Sequence, residues 1–537
     1  MVRAADAGWI LRVGMRPRRT SWDGSESCWA RACACPSGCI FPSAITQSRH
    51  ATGTDLGRSG RPKRFTRAAL HVNVLLANVK DFSTRDAIHR FVIASTSDDG
   101  ISGHRTLRWT SVFGLLLKGG AVMVAVLSQV VFARCMALDE YGTYVTIFAW
   151  VTVLSLLGGA GMPLAAVRYL PVYRDRADWA QFRSFIRSAW WLCLSTSLVI
   201  AAGFIAAIYA LPSLRPQLPA AVAGAPLVLL LCLASLATGI LQAVRRPLFA
   251  EIIANLLRSF LVVVLIGATA VLFGPLGAPL ALGLTCLAGV LALLPAWRAV
   301  LRAAPVGTAA AHPTDLRRTW IVSSLAFVIS MAAMSLIERL DTIMLGALAG
   351  PSEAGLYSVA SRLALMVGFA VASVNALLGP MAAELIGRKD LSGLQRTLAN
   401  GVLLATGLGV GITVVLLVLG SLLLRVFGPS FPEAAPALQI LACAQLLQAV
   451  MGSAGGMLAI AGHNRILVGI MLAAVAVDLL LCLLLIPGLG QIGAALATTG
   501  ALATSSIGLM IAARRLLHVD TSLRAGVLLL ARSRAAT

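Results

Sequence analysis

From Trp109 onward, apolar stretches of about 20 residues follow one another almost without pause, and that succession restricts the chain more than any other feature. A bilayer core of ~30 Å needs about 20 mostly apolar residues per helical crossing. Lipid offers no partner to a bare N–H or C=O, so a continuous apolar crossing of this length is a helix. The stretches fall at 111–136, 142–167, 188–211, 220–243, 248–273 and 275–298, then at 319–346, 354–380, 397–424, 434–461, 465–487 and 490–513. The expected fold is therefore all-α and integral to a membrane, with about twelve transmembrane helices in two six-helix lobes. Composition agrees: 58% hydrophobic, 12% charged and a mean hydropathy of +0.85, far from a soluble domain.

The net charge of +22 does not indicate a nucleic-acid partner, because its basic residues are not gathered on a water-facing folded surface. They lie in the polar N-terminal region and in short loops. With the N-terminus inside, the inner connections carry Arg168, Arg174, Arg176, Arg183, Arg187, Arg245, Arg246, Arg298, Arg302, Arg317, Arg318, Arg388, Lys389, Arg396 and Arg465, and the outer ones only Arg134, Arg215 and Arg425. Short cytoplasmic loops retain Lys and Arg, so both termini are expected to face the cytoplasm.

Residues 1–108 are Arg-rich and studded with Ser, Gly and Pro, with no sustained period. They read as disordered, or as a start site assigned too far upstream, and lack the layout of a secretory signal. Cys28, Cys33, Cys35 and Cys39 lack the paired CxxC spacing and the His of a persuasive zinc site, so no metal is expected. The remaining cysteines fall in or beside apolar spans, where Cys acts as a small hydrophobe. The divisions that follow are 109–302 for the first lobe, 303–318 for a linker, 319–516 for the second lobe and 517–537 for a tail.

The two halves resemble each other. Ala137-Leu-Asp-Glu-Tyr-Gly-Thr-Tyr144 has a counterpart in Gly350-Pro-Ser-Glu-Ala-Gly-Leu-Tyr357, an offset of 213. Gly274-Pro-Leu-Gly-Ala-Pro-Leu280 matches Gly490-Gln-Ile-Gly-Ala-Ala-Leu496 at an offset of 216. Because six is even, the second copy enters the membrane in the same orientation as the first, a parallel repeat of the kind transporters use.

Together with Gly159-Ala-Gly-Met-Pro-Leu-Ala-Ala-Val-Arg-Tyr-Leu170, Leu340-Asp-Thr-Ile-Met-Leu-Gly346 and Ala354-Gly-Leu-Tyr-Ser-Val-Ala360, these motifs resemble the polysaccharide transporter branch of the multidrug/oligosaccharidyl-lipid/polysaccharide (MOP) exporter superfamily, which includes O-antigen flippases. The resemblance covers roughly residues 109–516 and leaves the N-terminal region without a counterpart. It implies a two-lobed bundle that moves lipid-linked oligosaccharide, commonly on undecaprenyl diphosphate, to the outer leaflet in lipopolysaccharide or exopolysaccharide synthesis. It also implies alternating access, H+ or Na+ as a coupling ion, contacts with other polysaccharide assembly proteins, no cofactor and no enzymatic activity.

Charges within the spans are the candidate sites, because an ionisable group at bilayer depth costs about 2.5 kcal/mol or more. Lys118 and Arg258 are candidates for the substrate phosphates, with Arg339 and Arg362. Glu251, Glu338, Asp341 and Asp478 are candidates for coupling or gating. Spacing puts Glu251 and Asn255 on the face of Arg258, leaves Glu251 or Asp478 as structural partners for Arg258, and sets Asp341 level with Arg362 as a pair. At the repeat offset the counterparts of Glu338, Asp341 and Arg362 are Ala125, Ser128 and Ala149, so these charges are asymmetric between the halves.

Two alternatives stand beside the flippase reading. A drug or cation antiporter of the same superfamily would favour acidic and aromatic groups, whereas aromatics are 6% here. A membrane glycosyltransferase, polymerase or ligase would need a sizeable outer loop bearing catalytic residues, and the outer loops are short. No P-loop occurs, which argues against ATP as the energy source.

Overall fold

The computed structural model describes residue 124 and residues 126–303, 317–388, 390–452, 454–517 and 519–524. Residues 1–108 with their four cysteines, Lys118, most of the 303–318 linker and the end of the tail lie outside the described residues. Among the described residues there is no strand, and the helices fall on the expected spans. The fold is an all-α membrane bundle of twelve spans in two lobes. Its lipid-facing surface is apolar, with Val199, Val271, Phe273 and Val418 exposed.

Local sequence sets where the spans break. The described part of the first span is Val126–Cys135. The second comprises Leu138–Gly158 and Met162–Asp175, interrupted where Ala160 and Gly161 take φ of 44° and 72°. The third, Trp179–Ala210, starts nine residues before its expected position, capped by the Asp178 carboxylate accepting from Gln181 N at 3.1 Å. The fourth is Leu218–Gly224 with Pro226–Ala243, and the sixth Ala278–Leu301. The fifth runs from Pro247 to Phe273 through a π-helical turn at Ile252–Leu257. Hydrogen bonds in such a turn reach five residues, so the spacing expected to align Glu251, Asn255 and Arg258 no longer holds there.

In the second half the spans are Arg317–Leu348, Pro351–Gly387, Leu391–Arg425, and Ala435–Met451 with Ala454–Ile460. The eleventh and twelfth form one run, Asn464–Leu517, bent at Gly490 with φ 53°.

The duplication reappears as paired bonds. The Glu140 carboxylate accepts from Ala278 N at 2.5 Å, capping the sixth span, and Glu353 accepts from Gln491 N at 3.0 Å at the start of the twelfth. Tyr144 OH meets Thr285 Oγ1 at 3.4 Å, and Tyr357 OH meets Thr498 Oγ1 at 2.7 Å. Each residue differs from its counterpart by 213. The match at Gly274 and Gly490 is therefore corrected by three residues: Gly277 corresponds to Gly490, because the capping bond rather than the Gly-Ala pattern fixes the register.

On the Arg-poor side the halves meet at equivalent positions. A Cβ added at Gly355 would lie 3.3 Å from Cα and N of Gly142, its own counterpart, and one added at Gly142 would collide with the Pro351 carbonyl. Ser352 donates to Asp139, again its counterpart. Ser358 donates to Tyr141 OH at 3.4 Å, and Arg134 Nε to the Val426 carbonyl at 2.8 Å. Small residues allow this backbone approach between the second and eighth spans.

On the Arg-rich side the seventh span begins inside the first lobe. Trp320 is buried there against Phe185, ring centroids 5.0 Å apart, and donates its indole N–H to Tyr173 OH at 3.0 Å. The start of the tail also packs. Asp520 N donates to Gln395 Oε1 at 2.9 Å, Gln395 Nε2 returns a bond to the Asp520 carbonyl at 2.7 Å, and Arg514 pairs with the Asp520 carboxylate at 2.8 Å. Burial works against the Asp520 charge, but donation from Ser522 and the nearby Arg514 hold the carboxyl below its ordinary value.

Candidate functional site

Asp341 is the centre of a buried polar cluster in the second lobe. It lies seven residues before the end of the seventh span, about 10 Å below that end at 1.5 Å per residue. Its carboxylate accepts from Tyr357 OH of the eighth span at 2.9 Å and from Thr498 Oγ1 of the twelfth at 2.7 Å. Cys482 Sγ of the eleventh span donates to it at 3.4 Å. Four spans thus converge on one carboxylate.

Asp478 lies one helical turn from Cys482 on the same face. The ligand atoms of Asp341, Asp478 and Cys482 all lie within 4.8 Å of one another. Among the described residues neither oxygen of Asp478 has a hydrogen-bond donor, although the side chain is buried. Two carboxylates this close repel one another unless a proton or a cation sits between them. Their oxygens and the Thr498 hydroxyl are hard ligands suited to a proton or a small cation such as Na+.

The expected Asp341–Arg362 pair is not formed. Equal depth on neighbouring helices does not make two side chains face one another: Asp341 turns into the second lobe towards Tyr357, Thr498 and Cys482. Asp478 likewise belongs to this cluster and not to Arg258. Glu338, three residues before Asp341, is exposed whereas Asp341 is 4% exposed, so the two carboxylates expected on one face have different surroundings.

The second feature is a set of arginines on the fifth, seventh and eighth spans, of which Arg258 lines a small cavity with residues of the fourth and sixth spans. The charges of Arg362, Glu338 and Arg258 all act on Arg339, so the fifth, seventh and eighth spans deliver cations to one region. Tyr144 of the second span lies within the field of Arg258, and Tyr141 within that of Arg362. Even ~10 Å apart at an effective dielectric of about 20, two like charges repel by about 1.7 kcal/mol. Guanidinium groups gathered in this way are donors suited to an anion. Glu251 sits at the start of the π-helical turn that precedes Arg258.

Tyr357, Thr498 and Cys482 were not anticipated as site residues. A signal existed for two of them: Tyr357 ends one of the repeated motifs, and Tyr144 and Thr285 occupy the same places in the first half.

Comparisons with known proteins agree with this architecture. The profile of a family described as "Polysaccharide biosynthesis protein" matches residues 109–386, just over half of the chain, and that of the MatE family matches residues 326–484. No curated protein sequence matches. Among solved structures, an inward-facing multidrug resistance MATE family transporter of the MOP superfamily superposes with a TM-score of 0.61 at 14% identity, over 74% of this chain and 94% of that one. The lipid II flippase MurJ in an inward closed conformation gives 0.59 at 12%, covering 75% and 87%. An outward-facing MATE transporter gives 0.52 at 16%, covering 74% and 93%.

Proposed function

Because the chain belongs to the polysaccharide biosynthesis protein family and is a multi-pass membrane transporter of the MOP superfamily, we propose that it is a flippase for lipid-linked oligosaccharide. The lipid carries its sugar on a diphosphate, with undecaprenyl diphosphate as the expected carrier, from the inner to the outer leaflet during surface polysaccharide synthesis. The observation that carries this reading is that Arg258, Arg339 and Arg362 lie within range of one another's charges on the fifth, seventh and eighth spans. A diphosphate brings roughly two negative charges into a region of low dielectric, where fixed cations lower the barrier far more than they would in water. Lys118, which the sequence puts in the first expected span and which lies outside the described residues, is a fourth candidate cation for the same role.

Transport proceeds by alternating access. The Arg-poor side is the outer side in this reading, and contacts around Gly142 and Gly355 close it. Asp341 and Asp478 form the coupling site: a proton or Na+ between them relieves their repulsion and draws the eleventh span towards the seventh. Glu338 and Glu251 act as gating carboxylates beside the arginines. The protein has no catalytic role in this scheme.

The test is complementation of polysaccharide display at matched membrane abundance. Arg258→Ala, Arg339→Ala and Arg362→Ala should each reduce display, with partial recovery by lysine because charge dominates for a mobile substrate. Full display by all three alanine variants would remove the arginines from the mechanism. The MatE match over the second lobe favours a second reading, an antiporter for organic cations. Binding of an organic cation to the purified protein, with no affinity for a polyprenyl diphosphate, would establish it over the first.

A further inference from the structure

A cleft of about 370 Å³ opens where the second, third and seventh spans meet, away from both polar clusters, lined by Met162, Arg187, Ser188, Trp191, Ser195 and Trp320. That volume lies within the usual range of a small-molecule site, roughly 300–1,000 Å³. We propose that it holds a resident phospholipid of the inner leaflet, its phosphodiester on Arg187 and Ser188 and an acyl chain along Trp191.

The third span sets the geometry. Arg187, Trp191 and Ser195 recur at i, i+4 and i+8, so they form one stripe, and all three are exposed in the protein alone. Trp191 exposes 58% of its surface, a wide indole facing the bilayer. The helix ends at Ala210, so Arg187 lies 23 residues, about 35 Å, from its Arg-poor end. Across a hydrocarbon core of ~30 Å, that places the guanidinium at headgroup depth on the Arg-rich side. Trp191 and Ser195 sit about 6 and 12 Å deeper, where an acyl chain runs.

The chemistry matches that depth. Arg187 makes no hydrogen bond or ion pair among the described residues, and no carboxylate lines the cleft. A phosphodiester suits these donors, and indoles are at home at the headgroup boundary. The far wall is fixed, since Trp320 is buried against Phe185 and bonded to Tyr173. Trp320 also opens the seventh span, which carries Asp341, so a lipid seated here bridges the first lobe and the span that enters the coupling cluster. Only the leaflet rests on the orientation proposed above; lipid occupancy is independent of what is transported.

Native mass spectrometry of the full-length protein in detergent, titrated with phosphatidylglycerol, tests this. The wild type should retain a lipid that Arg187→Ala binds roughly tenfold more weakly, the loss of one charge-assisted contact. Trp191→Ala should weaken it less, and Arg298→Ala, a basic residue outside the cleft, should leave it unchanged. Equal retention by wild type and Arg187→Ala, at matched thermal midpoints, would overturn the site. So would equal loss in Arg298→Ala, which would mark nonspecific charge attraction. Displacement by equimolar polyprenyl diphosphate would instead assign the cleft to the transported lipid and overturn a resident phospholipid. Failure of display in the complementation assay moves none of these readouts.

Discussion

The two halves share a scaffold and differ in what it holds. Tyr144 meets Thr285 in the first lobe and Tyr357 meets Thr498 in the second, but only the second pair surrounds a carboxylate. Ser128 stands where Asp341 would be, Leu265 where Asp478 would be and Thr269 where Cys482 would be. The tyrosine–threonine bond and the glutamate caps are therefore properties of the fold, and the carboxylates are chemistry added to one copy. A residue's role is best judged by whether its counterpart keeps it.

The largest effect expected from breaking this asymmetry is at Asp341. Asp341→Asn should lower polysaccharide display roughly 10- to 100-fold, the range of a lost coupling free energy, while Ser128→Ala leaves it nearly unchanged. Complementation at matched abundance measures both, and equal effects would place the coupling site elsewhere.

Next come the glycines of the seal. Gly142→Ala should destabilise the outer-closed state by ~1–3 kcal/mol through overpacking on the Pro351 carbonyl, and Gly355→Ala by less, since its Cβ would lie 3.3 Å from Gly142. Labelling of a cysteine introduced at Ser352 reports the opening; a larger effect at Gly355 would contradict the packing.

The glutamate caps should behave alike. Glu140→Gln and Glu353→Gln should each lower thermal stability by ~1 kcal/mol, and a marked difference between them would show that one has acquired a second role.

The smallest effect belongs to the tail. The folded value of Asp520 is depressed, so its contribution is present above the unfolded value of about 3.9 and is lost as pH falls through the folded value. Asp520→Asn should therefore melt slightly earlier than wild type at pH 7, with the gap closing in acid below that unfolded value. A gap that persists there would mean that the carboxylate charge is not what holds the tail.

Much of this was legible in the sequence because lipid leaves few choices. Apolar length gave the spans, and the motifs ending at Tyr144 and Tyr357 gave the repeat. Partner choice was less accessible. Asp341 and Asp478 are 137 residues apart, and depth along two helices says nothing about rotation about their axes, which is why Arg362 was a plausible but mistaken partner. The π-helical turn before Arg258 shifts a face in a way that side-chain spacing alone does not reveal. The packing of the tail was not legible because its anchor, Gln395, lies 125 residues earlier in the chain.

The meeting of Gly142 with Gly355 also bears on the energy supply of the cell. If the contact closes the outer side, as proposed above, any ion gradient across the membrane falls across it. At Gly142 and Gly355 that contact is backbone against backbone. The insulation is thin, and it depends on two residues that have no side chain with which to compensate for a misfit.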